Sequence, residues 1–389
     1  MTKRKSIIIL ATVLLAVGIL GGTVLSKRWN QPLGESLALP TATLAPPTAT
    51  ETAPTPIAEN TGSGQAASPT PLQPETPLPT STATPIPTAT PEPLCGGPPV
   101  MTILALGVDT NSYLYGLADA IKLVRVDFVT PKVTVISMPR DLWVQIPGLE
   151  ASGVTEGKLN QAYFYGSPGM GYYDGPGAGP GLMARTLQNN FGFAVDHYGT
   201  VNMYTFVRMV NAVGGIDLYL ERDVDGRPVD EKTEDMGYFY AGYNHMTGEA
   251  ALRFSRIRKT DNNFARMDRQ KMVLCALKDK LLRPEVLPDI PDLIASFQGS
   301  IVTDLSPAQI SQLACLLPKL DDENIIFGKI PEDELTGTSR WDARNGHNTF
   351  VWDVDPQVIS DYLARFQAGE WPVYSGEGAG CPPPVEPRW

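Results

Sequence analysis

Histidine is scarce in this chain. His197, His245 and His347 are the only three in 389 residues, and they stand far apart. That spacing supplies no His-based metal set and no Ser-His-Asp arrangement. Cysteine is scarce too: there are four, with no C-x-x-C pair, which excludes zinc-ribbon and thioredoxin-like designs. Basic charge is in deficit, with 31 Lys and Arg against 42 Asp and Glu and a net charge of −11. A nucleic-acid surface needs the opposite balance. Between residues 30 and 93 aromatics are missing altogether. Such a stretch cannot bury enough apolar surface to offset the cost of ordering it.

What is present begins with Lys3-Arg4-Lys5, then about nineteen apolar or small residues from 7 to 25. As a helix this run spans roughly 28 Å, close to a bilayer core. It is longer than a usual signal-peptide core and no A-x-A site follows, so it reads as an uncleaved anchor rather than a cleavable signal. Lys27-Arg28 follow the span, but the N-terminal charges tip the count towards an N-terminus inside. The expected domains are 1–29, a cytoplasmic tip and transmembrane anchor; 30–94, a disordered Pro/Thr/Ala-rich linker; and 95–389, an extracellular domain. The last divides into a core of about 101–284, a C-terminal part of about 285–368 and a tail, 369–389. The linker composition favours extended polyproline conformation, whose upper reach is on the order of 200 Å.

All four cysteines, Cys95, Cys275, Cys315 and Cys381, fall in the outer part, where disulfides form. Of the three possible pairings, Cys95–Cys381 with Cys275–Cys315 is expected, because the first two bracket the domain and the other two lie in helix-like segments. Apolar runs at 101–108, 121–127 and 133–137 read as strands, the last two as a hairpin about Thr130-Pro131. Residues 158–165, 182–191, 203–213, 248–254, 264–282 and 306–317 read as helices, and another starts at Asp355-Pro356. The Gly-, Pro- and Tyr-rich stretch 167–181 reads as a loop. Strands and helices alternate and hairpins occur, so the expected fold class is α/β, a mixed β-sheet sandwiched by helices.

Against the acidic background some arginines cluster. Ser137-Met138-Pro139-Arg140-Asp141 ends the third strand-like run. Arg253, Arg256 and Arg258 follow a hundred residues later, then Arg266, Arg269 and Gln270 at i, i+3 and i+4 of one helix. A guanidinium fork matches phosphate oxygens. Two isolated acids, Asp109 and Asp119, suffice for a magnesium ion that phosphates would complete. The pattern reads as a site for a phosphorylated substrate outside the cell. Singly, each element has a plainer reading: a strand-end salt bridge at Arg140-Asp141, or helix-surface pairs of Arg266 and Arg269 with Asp261 and Asp268.

Taken in order, these elements resemble the LytR-CpsA-Psr family of bacterial cell-envelope proteins. The resemblance rests on Gly107-Val108-Asp109, Asp119, Ser137-Met138-Pro139-Arg140-Asp141, Lys158-Leu159-Asn160-Gln161-Ala162-Tyr163, Gly214-Gly215-Ile216-Asp217, Gly248-Glu249-Ala250-Ala251-Leu252, Arg256-Ile257-Arg258 and Arg266-Met267-Asp268-Arg269-Gln270. It implies a phosphotransferase that moves a glycopolymer from a polyprenyl-diphosphate carrier to a peptidoglycan hydroxyl, beside the membrane. Arg140, Asp109 and Asp119 would be catalytic. Arg140, Arg256, Arg258, Arg266, Arg269, Gln270 and Lys158 would hold the diphosphate. Asp109 and Asp119 would hold Mg2+ or Mn2+, and either acid would serve as general base. The chain departs from the family pattern at Leu117, at Thr110-Asn111 and at Asn263, where Arg, Arg and Asp are usual. Two further readings stay open: a diphosphatase acting on the lipid carrier, in which water replaces the sugar hydroxyl, and a non-catalytic envelope-polymer binder.

Overall fold

In the computed structural model, which describes residues 29–37, 91–231, 233–258, 263–286, 293, 296–297, 299–373 and 380–382, the three strand-like runs form a meander. These are β1 (Val100–Val108), β2 (Ala118–Asp127) and β3 (Lys132–Ser137), antiparallel in turn, with Ile103 opposite Val124 and Val124 opposite Val135. The β2–β3 turn is fixed by Asp127, whose Oδ1 accepts from the Val129 and Thr130 amides at 3.0 and 2.8 Å.

After β3 come two short strands, β4 (Trp143–Gln145) and β5 (Glu156–Lys158), paired with each other. Helices α1 (Leu159–Gly166) and α2 (Ala178–Phe191) follow, then β6 (His197–Asn202) and α3 (Met203–Ala212). The Asn202 side chain caps α3 by accepting from the Thr205 amide at 2.8 Å. Next are β7 (Ile216–Leu220), β8 (Val224–Asp225), β9 (Tyr238–Phe239) and β10 (Gly242–Met246), in which β7 pairs with β10 and β8 with β9. Thr247 caps α4 (Gly248–Arg256), and α5 (Asn263–Leu281) follows. The chain ends with β11 (Val302–Thr303), α6 (Pro307–Leu316), β12 (Ile325–Lys329), the hairpin β13 (Thr336–Asp342) and β14 (His347–Asp353), and α7 (Pro356–Ala368). Pro sits in the first turn of both α6 and α7, where its missing N–H costs nothing.

The main sheet has the order β11-β6-β1-β2-β3-β12. β6 and β12 run parallel to their neighbours β1 and β3, and β11 runs antiparallel to β6. The sheet is therefore mixed and carries helices on both faces, as expected. The two-residue strand period separates the faces. Leu104, Leu106, Ile121, Leu123 and Ile136 pack with Leu159, Leu182, Leu187, Ile359 and Leu363 of α1, α2 and α7. The opposite face presents Ala105, Gly107, Ala120, Val124, Val135 and Gly199 to α3, α4 and α5, where a cavity opens. A second core joins β7 and β10 to those three helices through Val210, Ile216, Leu218, Phe254 and Val273.

Several expectations need correction. Cys95 bonds Cys315 and Cys275 bonds Cys381, with Cα separations of 5.9 and 5.5 Å. The reason is packing. Cys95 and Cys381 both lie against the cluster of Met101, Phe128, Leu316 and Ile325, which brings α6 over the start of the domain. α2 starts at Ala178, inside the stretch expected to be loop, because Gly177 turns the chain at φ +76° and Pro180 suits a first turn. Most of the linker and the whole apolar run 7–25 lie outside the described residues. Among the described residues no helix is long and apolar enough to cross a membrane. Residues 30–37, expected within the linker, lie on the folded unit. The Leu33 amide donates to Leu305 O at 3.3 Å, the Tyr198 hydroxyl donates to Glu35 O at 3.0 Å, and Leu37 packs against the main core. These residues precede the Pro/Thr-rich run and still carry leucines that the core can use.

Candidate active site

Two acids stand at the ends of β1 and β2. Asp109 leaves β1 and is stitched to the start of β2. Its amide donates to Leu117 O at 3.1 Å, and its Oδ1 accepts from the Leu117 amide at 2.7 Å. Position 117 therefore serves Asp109 through its backbone. Asp119 on β2 accepts from Arg140 Nη1 and, at 3.2 Å, from Asn160 Nδ2. The Arg266 guanidinium lies 3.9 Å from its carboxylate and donates to its backbone oxygen at 3.3 Å. Burial acts to raise the Asp119 carboxyl, but the charges of Arg140 and Arg266 outweigh it and hold the group below the usual range. Asp109 goes the other way: burial, then the charge of Asp119, raises it.

Arg140 continues the network to Asp141. Its Nε donates to Asp141 Oδ2 at 3.1 Å, Lys158 Nζ reaches Oδ1 at 3.1 Å, and Asn263 Nδ2 donates to Oδ2 at 2.8 Å. Burial pushes the Asp141 carboxyl up, and Arg140 and Lys158 more than reverse that. Asn263 thus suits this network: an acid in its place would face the buried Asp141 carboxylate, whereas the amide donates to it. Asn160 acts twice, because its amide also donates to Arg140 O at 3.1 Å. Gln161 accepts from the Lys158 amide at 2.9 Å and donates to Asp342 at 2.8 Å, tying α1 to the β13–β14 hairpin.

The second arginine group comes from α4 and α5. Arg266 is buried, and its Nε finds no acceptor among the described residues. Burial and the neighbouring Arg140 charge push its guanidinium down to about 10, so it stays cationic at neutral pH. Arg256 forms a two-pronged pair with Glu234, at 2.9 and 3.3 Å. Gln270 lies one turn beyond Arg266. Arg269 does not line the cavity with them: it is buried and donates to Ile257 O, just after α4, at 2.5 Å.

These groups surround a cavity of about 690 Å3 between the sheet and α3–α5. Asp109, Asp119, Arg256, Arg258, Arg266 and Gln270 line it, so six of the nine residues singled out from the sequence converge there. Arg140 and Lys158 stand behind Asp119 and Asp141, and Arg269 is elsewhere. The rest of the lining is largely apolar, with Val124, Val135, Phe206, Met209, Val273, Leu277 and Phe327. Two lysines interrupt that lining: Lys278, which is paired with Asp279 and Asp322, and Lys122. Lys122 of β2 is 6% exposed, and its Nζ donates to Ser137 Oγ at 2.6 Å. Burial, then the charge of Arg266, pushes its amine down to about 7. Sequence reasoning passed over it as one polar residue in a strand. The signal available was its register: it shares the Ala120 and Val124 face, which the apolar pattern assigns to the interior. Asp141, as hub of the network, and Asn160 were quoted within motifs but given no role.

Comparison with known proteins bears on this arrangement. The model of the LytR_cpsA_psr family matches residues 98–357 of the 389. The polyisoprenyl-teichoic acid–peptidoglycan teichoic acid transferase TagU of Enterococcus faecalis is 28% identical over 242 residues, 61% of this chain and 70% of that protein. The Bacillus cereus protein of the same name is 29% identical over 212 residues, 54% of this chain and 62% of its own length. Among solved structures, Bacillus subtilis TagV superposes with a TM-score of 0.54 at 24% identity, covering 70% of this chain and 97% of that one. TagT bound to LIIa-WTA superposes with a TM-score of 0.52 at 22% identity, covering 69% and 90%. At such identities the two structures speak for the fold.

Proposed function

The chain belongs to the LytR_cpsA_psr family, and from that premise we propose that it is a phosphotransferase attaching a polyprenyl-diphosphate-linked glycopolymer to peptidoglycan. The observation that carries this reading is the join of two unlike surfaces in one cavity. Cationic and acidic side chains line one part of it and apolar side chains another, matching a diphosphate joined to a hydrocarbon tail. The named activity of the two TagU relatives, transfer of teichoic acid from a polyisoprenyl carrier to peptidoglycan, points to the same substrate class. Such a substrate lies at the outer membrane face, which suits an N-terminal anchor formed by residues 7–25.

Phosphoryl transfer asks the protein chiefly for positioning and for stabilisation of charge on the transferred group. Arg256, Arg258 and Arg266 face the cavity and would clamp the diphosphate, with Gln270 as a neutral donor. Arg140 holds Asp119 in place from behind and is itself held by Asp141. Asp109 and Asp119 lie near enough for one charge to raise the other's carboxyl. That mutual repulsion is what a divalent cation would relieve, and two carboxylates with phosphate oxygens suit Mg2+ or Mn2+. The ion would neutralise charge on the diphosphate. Asp109 is the better proton acceptor for the incoming sugar hydroxyl, because Asp119 is committed to Arg140 and Arg266.

The test uses the full-length protein in detergent with lipid-linked glycan, Mg2+ and peptidoglycan. Wall-linked glycan is the expected product, and Arg140→Ala and Arg256→Ala should each lower its rate at least tenfold. Glycan ending in free phosphate, with no wall-linked product, would make the protein a diphosphatase. Unchanged binding and transfer in both variants would remove the site altogether.

A further inference from the structure

We propose that Lys122 is a further phosphate-binding residue of this site, holding the diphosphate from the cavity floor at the point where the hydrocarbon begins. The proposal rests on the phosphotransferase reading and deepens it. Lys122 is the third residue after Asp119 on β2, roughly 10 Å along the strand. It stands between Ala120 towards the mouth and Val124 in the apolar interior, and all three line the same cavity. A lipid diphosphate changes from charge to hydrocarbon over just such a distance. The ammonium has three donors, and among the described residues its hydrogen-bond acceptor is the Ser137 hydroxyl at 2.6 Å. Ser137 faces Lys122 directly across the β2–β3 ladder, which fixes where the lysine stem runs.

An amine here is costly to keep. Packing alone would be served by an apolar side chain such as methionine, whereas lysine must lose most of its hydration. The charged groups acting on it are Arg266 and Asp268 from α5 and Lys329 from β12, while β3 offers only the neutral Ser137. Two cations and one exposed acid give it no buried counter-ion among the described residues. A phosphate at the cavity neck would supply that counter-ion. It would also draw the amine, which burial leaves near half-charged at neutral pH, fully into its ammonium form.

The experiment measures binding of geranylgeranyl diphosphate and of geranylgeraniol to the full-length protein in detergent, for wild type, Lys122→Met and Arg266→Ala. Lys122→Met should weaken the diphosphate by about tenfold or more, the loss of one charge-assisted bond, and leave the alcohol unchanged or tighter. Wild-type affinity for the diphosphate should fall as pH rises from 7 to 9, because binding then requires proton uptake, and in Lys122→Met that slope should flatten. If Arg266→Ala weakens the diphosphate but Lys122→Met does not, the site stands and the role given to Lys122 falls. If wild type holds the diphosphate no better than the alcohol, the phosphotransferase reading falls with it. A Lys122→Gln variant, with its folding checked by circular dichroism, should repeat the Lys122→Met result; an unchanged diphosphate affinity there would likewise overturn the assignment.

Discussion

Asp141 receives Arg140, Lys158 and Asn263 in a space that leaves its side chain 8% exposed. Removing it takes one partner from each of two buried cations, Arg140 and Lys158, so Asp141→Ala should cost roughly 3–5 kcal/mol of folding stability. Because its carboxyl is held below the usual range in the folded state, its contribution is present above the unfolded value near 4 and is lost as pH falls through the lower folded value. Urea melts between pH 7 and pH 2 should therefore show the wild-type advantage over Asp141→Ala shrinking towards acid. Lys122 has the reverse sign. The unfolded chain holds its proton up to about 10.4, while the folded chain releases it near 7. The unfolded state thus binds more protons between those values, and stability rises with pH across them. Lys122→Met should raise the melting temperature at pH 7, by an energy on the order of 3–5 kcal/mol at most, and the gain should narrow towards pH 10. A flat difference across that range would show that Lys122 is charged throughout. These two residues also show where reading a sequence stops. Arg140 and Asp109 announce themselves as charges beside apolar runs. The burial of Lys122 depends on which sheet face α5 covers, and no local pattern states that.

Among the elements, β6 and the β8–β9 segment bear most directly on access to the cavity. Gly199 of β6 faces open space, since a Cβ placed there meets nothing within 4 Å. Its φ is ordinary, so a larger residue fits the strand and projects into the cavity. Gly199→Leu should fold normally and weaken geranylgeranyl diphosphate by about tenfold, and an unchanged affinity would mean that the tail does not pass over β6. Glu234 precedes β9 and occupies Arg256 with both carboxylate oxygens, as a phosphate would. Both partners are substantially exposed, so the pair is worth no more than about 1 kcal/mol. Glu234→Gln should then lower the KM for the lipid substrate by roughly two- to fivefold and leave kcat unchanged. The long periodic elements were legible in the sequence: α5, β1 and β3 lie within a residue of expectation, and β2 starts three residues earlier than expected. The short strands β5, β8, β9 and β10 were not, because two to five residues carry too little pattern and their pairing is set by tertiary contact. Arg269 shows a related limit: helical spacing sets it beside Arg266, yet its Nη2 donates to the Ile257 carbonyl at 2.5 Å.

At the scale of the whole molecule the two disulfides do different work. Cys95–Cys315 joins the domain's first turn to α6 across a separation of 220 residues. Cys275–Cys381 joins α5, which carries Arg266 and Gln270, to the C-terminal segment across 106 residues, and Cys381 also lines the cavity. The composition led to the expectation of an oxidised, outward-facing domain, but the pairing depends on which helix packs over Phe128, and the chain order of the cysteines is silent on that. In the chain-entropy limit each bond contributes roughly 5 kcal/mol by restricting the unfolded chain. Peptide mapping without reduction should recover Cys95 with Cys315 and Cys275 with Cys381. Cys95→Ala/Cys315→Ala should lower the melting temperature and leave lipid-diphosphate affinity near wild type, because neither residue lines the cavity. Cys275→Ala/Cys381→Ala should lower both, since it unties α5 at the apolar end of the cavity. Equal losses of affinity in the two variants would mean that the cavity depends on global stability rather than on how α5 is held.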